Sequence, residues 1–189
     1  MLKILVAPLL ILFSFTGRVH TEKCEIKTSL GNFTVELLLH NAPVTVGNFL
    51  KYVDAGLYNG TEFYRVQNLK NQDDKAVKIE IIQGGKIDST KQLPPIKHEN
   101  TSQTGLLHKD GFLSMARGEA GTATSSFFIC INDQPELDFG GNRNPDGQGF
   151  AAFGRVVEGM EVVRKIYEQP FKGSDFNPKI LIYSISRKH

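Results

Sequence analysis

Cys24-Glu25-Ile26-Lys27-Thr28-Ser29-Leu30-Gly31-Asn32-Phe33-Thr34-Val35-Glu36-Leu37-Leu38-Leu39 reads as a hairpin. Residues 24–28 make a first strand and Ser29-Leu30-Gly31-Asn32 supplies turn chemistry. Residues 33–39 then alternate, with Phe33, Val35, Leu37 and Leu39 on one side and Thr34 and Glu36 on the other. That period of two belongs to a half-buried strand paired with the one before it.

Working outward, Ala42-Pro43 opens a helix, because proline is at home in a first helical turn. Val46, Phe49, Leu50 and Val53 recur at helical spacing, and Gly56 stands where a left-handed cap ends a helix. Strands are expected over 61–66, 79–83, 111–117, 126–132, 150–156 and 180–185. A second helix is expected over 159–167, with Met160, Val163, Ile166 and Tyr167 on one face. Residues 68–78 read as a polar exposed insert, and 118–125 and 142–149 as loops. Short strands joined by turns favour antiparallel pairing. Two amphipathic helices cannot cover both faces of a large open sheet. A mainly β fold, a closed antiparallel β-barrel capped by two α-helices, satisfies both facts.

The 189 residues suit one domain plus an export segment, and 40% apolar content is enough for a core. Eighteen glycines, 13 phenylalanines and no tryptophan point to tight turns around a Phe-rich interior. The N-terminus differs from the rest. Lys3 precedes an uncharged apolar run over 4–15, the length of a signal-peptide core and too short for a bilayer of ~30 Å. A cleaved signal over 1–21, followed by one domain over 22–189, is the expectation; an uncleaved anchor or a buried strand competes with it. The mature chain would be exported: periplasmic in a bacterium, otherwise in the secretory pathway or outside the cell. Loss of 1–21 removes Lys3 and Arg18, leaving 20 basic residues against 20 acidic ones. That balance offers nucleic acid no basic face, and no stable membrane insertion is expected after cleavage.

Cys24 and Cys130 could form one disulfide, but Cys130 lies in the apolar run Phe127-Phe128-Ile129-Cys130-Ile131 and reads better as a buried free thiol. Gly84-Gly85-Lys86 is followed by Ile87, so no phosphate-binding loop is present, and there is no Gly-x-Ser-x-Gly elbow. Histidines 20, 40, 98, 108 and 189 show no metal-ligand spacing. No cofactor and no metal are expected.

Phe63-Tyr64-Arg65-Val66, Ile82-Gln83-Gly84-Gly85, Leu113-Ser114-Met115-Ala116-Arg117, Ser125-Ser126-Phe127-Phe128-Ile129, Leu137-Asp138 and Ala152-Phe153-Gly154-Arg155-Val156-Val157-Glu158-Gly159-Met160 follow one another in order. The series resembles the cyclophilin family in its compact bacterial style, over about residues 24–186. The resemblance implies an eight-stranded antiparallel barrel and peptidyl-prolyl cis–trans isomerisation without cofactor, on proline-containing polypeptides, by a monomer. It implies that Arg65 is the catalytic arginine and that Gln83 positions Arg65 and the substrate backbone. Ile81, Phe128 and Leu137 match the apolar pocket for the proline ring. Ala116 and Arg117 match the segment that meets the substrate main chain. Adjacent Phe127 and Phe128 point to opposite faces of their strand, and the motif's register assigns Phe128 to the pocket.

Four positions depart from the pattern. Glu80 replaces a pocket phenylalanine, and either pairs with Arg65 or points outward. Ser126 takes the place of a substrate-binding glutamine, Glu136 that of an aromatic, and Phe150 that of a histidine or tyrosine. Two readings follow: an isomerase assisting the folding of exported proteins, or a proline-peptide binding module of the same fold with little turnover. A hydrolase on a β-barrel has no motif behind it.

Overall fold

A computed structural model describes residues 22–188. The expected signal segment, 1–21, lies outside the described residues. The elements run β1 (Glu22–Thr28), β2 (Gly31–Leu37), α1 (Pro43–Asp54), β3 (Glu62–Gln67), β4 (Ile81–Gly84), α2 (Thr101–Thr104), β5 (Phe112–Met115), β6 (Phe127–Cys130), β7 (Ala151–Glu158), α3 (Met160–Tyr167), β8 (Phe171–Lys172) and β9 (Asp175–Lys188).

The hairpin β1–β2 pairs Cys24 with Val35 and Ile26 with Phe33, the register that the alternation demands. From it the sheet runs β1-β2-β7-β5-β6-β4-β3-β9, and β9 pairs back onto β1 to close eight antiparallel strands. β8 is a two-residue addition folded onto β9 outside that ring. α1 follows the C-terminal end of β2 and α3 the C-terminal end of β7. Because β2 and β7 are antiparallel, the two helices cover opposite ends of the barrel.

The interior is built on phenylalanine. Phe127 is fully buried, with ring centroids of Phe49, Tyr58 and Phe63 at 5.5, 5.6 and 5.9 Å in edge-on geometry. Such tilted aromatic contacts add to the apolar area they bury. The glycines after Gln83 serve this packing. Gly85 has φ +70°, and a Cβ there would stand 2.6 Å from the Phe127 ring and 2.9 Å from that of Tyr58.

Two local readings are revised. Leu39 is exposed, because backbone bonds from Asn41 and Ala42 to the Leu38 carbonyl end β2 in a turn. Thr34 and Glu36, expected on a wet face, are buried under polar partners: Thr34 donates to Glu158 at 3.0 Å, and Arg155 donates to Glu36 at 2.8 Å. The helix α2 is a single turn, capped by the Asn100 side chain.

The cysteines are free. Cys24 on β1 belongs to the barrel interior, whereas Cys130 on β6 lies four strands around the ring and on the outer face. Burial pushes the Cys24 thiol up to about 12 and raises Cys130 as well, so neither thiol is a ready nucleophile.

Candidate active site

Direct cross-strand partners share a face of the sheet. One rung joins Arg65 on β3 to Gln83 on β4, Gln83 to Phe128 on β6, and Phe128 to Ser114 on β5. The next joins Gln67 to Ile81 and Ile81 to Cys130. Strand alternation sends Ile82, Phe127 and Ile129 inward, so these rungs stand on the outer wall. There Ile79, Ile81, Phe128, Cys130 and Leu137 form a second apolar cluster, separate from the core, with Ala116 and Phe150 half-exposed at its rim. The Phe128 and Phe150 rings meet edge-on at 5.4 Å. The barrel thus brings together every apolar residue expected in the pocket.

Phe128 is held from behind by a residue that sequence reasoning passed over. His108, fully buried, stacks on it at 6.0 Å. His108 Nδ1 lies 2.7 Å from Asp138 Oδ1 and Nε2 lies 2.9 Å from Ser114 Oγ. A carboxylate only accepts, so Nδ1 donates to it. The Ser-His-Asp order invites comparison with a hydrolase, but Ser114 is 0% exposed and no substrate carbonyl reaches it. The chain of bonds is a brace for the apolar wall. Metal-ligand spacing, the one pattern weighed for histidine in the sequence, does not reveal it. The signal that could have found His108 is its place just before the Gly111–Arg117 strand.

A second brace is the loop 139–149. The Arg117 side chain, 1% exposed, donates to Asp146 at 2.7 and 3.0 Å and to the Gly149 carbonyl at 2.8 Å, and lies over the Phe150 ring at 5.1 Å. This bidentate pairing, with a bond from the Gln148 amide, holds the Asp146 carboxyl down at about 2. Gly149 has φ +61°, and a Cβ there would stand 2.7 Å from the Leu137 carbonyl oxygen. The Arg117 side chain is thus spent on seating this loop against the pocket, which leaves the main chain of the 116–117 segment as the part that can face a substrate backbone.

The departures resolve in the same way. Glu80 does not pair with Arg65: its carboxylate accepts from Tyr167 Oη at 2.6 Å and Asn132 Nδ2 at 3.1 Å. Glu136 accepts from the Asn142 backbone at 2.9 Å and shapes the loop. Ser126 is half-buried at the pocket's edge, and its carbonyl accepts from Ala116 N at 2.9 Å. Gln83 stands beside Arg65, but its Nε2 donates to Tyr64 Oη at 2.7 Å and no hydrogen bond joins it to Arg65 among the described residues. Arg65 is half-buried, and its Nε is buried without an acceptor.

Among the described residues no three His, Cys, Asp or Glu side chains are grouped to hold a metal ion. The profile of the family described as cyclophilin type peptidyl-prolyl cis-trans isomerase/CLD matches residues 23–187.

The chain belongs to the cyclophilins.

Peptidyl-prolyl cis-trans isomerase A of Dickeya dadantii is 40% identical over 146 residues, covering 75% of this chain and 68% of the relative. Peptidyl-prolyl cis-trans isomerase B of Escherichia coli is 39% identical over 146 residues, covering 74% and 80%. A cyclophilin-type isomerase of Cryptosporidium parvum, crystallised in the presence of the dipeptide Ala-Pro, superimposes with a TM-score of 0.69 at 25% identity, covering 88% of this cyclophilin and 99% of that chain. The mainly β, eight-stranded barrel and the peptidyl-prolyl isomerase class of this cyclophilin follow from these matches.

Proposed function

We propose that this chain accelerates X-Pro isomerisation during the folding of exported polypeptides, with Arg65 as the catalytic group. Amide resonance sets a rotation barrier of ~18–20 kcal/mol, and X-Pro isomerisation is slow enough to limit folding. The catalyst need only favour the twisted amide over both planar forms. The observation that carries the reading is Arg65 Nε, a buried donor without a partner, on the same rung as the apolar wall of Phe128. A proline ring lodged against Phe128, Ile81 and Leu137 leaves its nitrogen facing the Arg65 guanidinium. That nitrogen's lone pair becomes an acceptor only as the amide twists, so the bond strengthens on the way to the transition state. Arginine suits this work because it stays charged and its donors are fixed in a plane. Gln83, tethered to Tyr64, presents its amide oxygen to the substrate backbone.

Protease-coupled isomerisation of a short Ala-Pro peptide tests the proposal. Clear acceleration over the spontaneous rate is the expected result. Folded protein that gives none would leave the binding-module reading in its place.

Export is supported by the uncharged run over 4–15 after Lys3. Action as a single chain is supported by barrel closure, which leaves no long unpaired strand edge among the described residues. Intact mass of the protein recovered outside the cytoplasm is expected to lack about the first 21 residues; a full-length mass would overturn cleavage there.

A further inference from the structure

The loop 139–149 does more than brace the wall: it carries a second guanidinium to the site. Arg143 Nη2 donates to Gln67 Oε1 at 2.7 Å. Gln67 stands two residues beyond Arg65 on β3 and so on the same face. Arg143 Nη1 donates to the Val77 carbonyl at 2.6 Å and to Gln72 Oε1 at 3.2 Å, both in the polar insert 68–78. All three acceptors are neutral. They fix the position of the guanidinium and leave its charge unbalanced.

No ion pair among the described residues includes Arg65 or Arg143. The acidic side chains of the neighbouring segments are turned to other work. Glu80 accepts from Tyr167, Glu136 from Asn142, and Asp146 from Arg117. Asp175, across the β3–β9 pairing from Arg65, is exposed and makes no ion pair with it. Desolvation first, and the charge of Arg65 second, push the pKa of Arg143 below the ordinary arginine value. Two cations gathered on one face of the site, both half-buried, are a costly arrangement that an anion would relieve.

We propose that Arg143, with Arg65, is a specificity-determining residue of this isomerase, selecting polypeptides that carry an acidic side chain next to the X-Pro bond. The insert 68–78 and the loop 139–149 are then the means by which the fold adds a carboxylate-binding corner to the proline pocket. The inference rests on the isomerase reading for its location and adds the chemistry of the substrate.

The test is equilibrium binding of end-capped peptides, followed by NMR, with Glu, Gln or Lys placed before or after the proline. At low salt the wild type is expected to bind one Glu peptide about tenfold more tightly than its Lys counterpart, the scale of a charge-assisted hydrogen bond. The ratio is expected to shrink at high salt and to fall near unity in Arg143→Gln. Because that variant could also unseat the loop, Arg143→Lys is measured beside it; retaining the charge, it is expected to keep part of the preference. Equal affinities for Glu and Lys peptides in the wild type would overturn the proposal. So would a ratio that survives in Arg143→Gln, or one lost equally in both variants. Preferential binding without turnover would overturn the isomerase reading alone, and turnover without preference would overturn only this inference.

Discussion

Arg65→Ala is expected to lower kcat/KM for an Ala-Pro peptide by about 10²-fold, with most of the loss in kcat. Removal of one preorganised donor aimed at charge that develops in the transition state typically costs 10²–10³. The planar substrate offers the guanidinium little, since its nitrogen lone pair is delocalised, so KM moves less than kcat. The fold should survive the change. Arg65 makes no ion pair and its Nε has no acceptor, so truncation breaks no internal bond there and removes an unsatisfied donor. Thermal unfolding measured beside the kinetics separates the two effects. A variant that unfolds normally yet loses less than about threefold in kcat/KM would remove Arg65 from the mechanism.

Phe127→Ala, one residue from the pocket, is expected to cost about 3–5 kcal/mol of stability, the usual range for a buried Phe-to-Ala truncation. Three aromatic rings lean on Phe127, and Gly85 is shaped to receive it. Among the described residues the barrel ring is closed, and its paired strands resist collapse into the space. Urea titration should show a lower midpoint with an unchanged slope. Phe127→Leu, which restores most of the volume, is expected to recover a large part of the loss. A cost below about 1 kcal/mol would mean that the interior repacks, contrary to the close contacts seen.

The strand and helix pattern was legible because short-range signals carry it. The alternation from Phe33 to Leu37 and the Pro43 start of α1 each depend on neighbours a few residues away. The apolar half of the site was legible too, since strand parity separates Phe127 from Phe128 once the register is known. What stayed hidden rests on partners distant in sequence. The direction of Glu80 is set by Tyr167 and Asn132. The value of His108 depends on Asp138 and on the Phe128 ring stacked from β6. Arg143 lay in a loop with no periodicity, and only the docking of that loop brings it to Gln67. Arg117 was assigned by motif position, but a loop seated on it claims its side chain. The two-residue β8 and one-turn α2 are too short to leave a pattern of their own.

The placement of the two cysteines on opposite sides of the ring reaches beyond packing. Cohesion comes from aromatic packing and a closed ring of paired strands, with no covalent cross-link to complete. The chain therefore matures without an oxidant or a disulfide exchanger, and its stability should be the same in glutathione-rich and oxidising surroundings. An isomerase built this way needs no thiol chemistry to reach its working form.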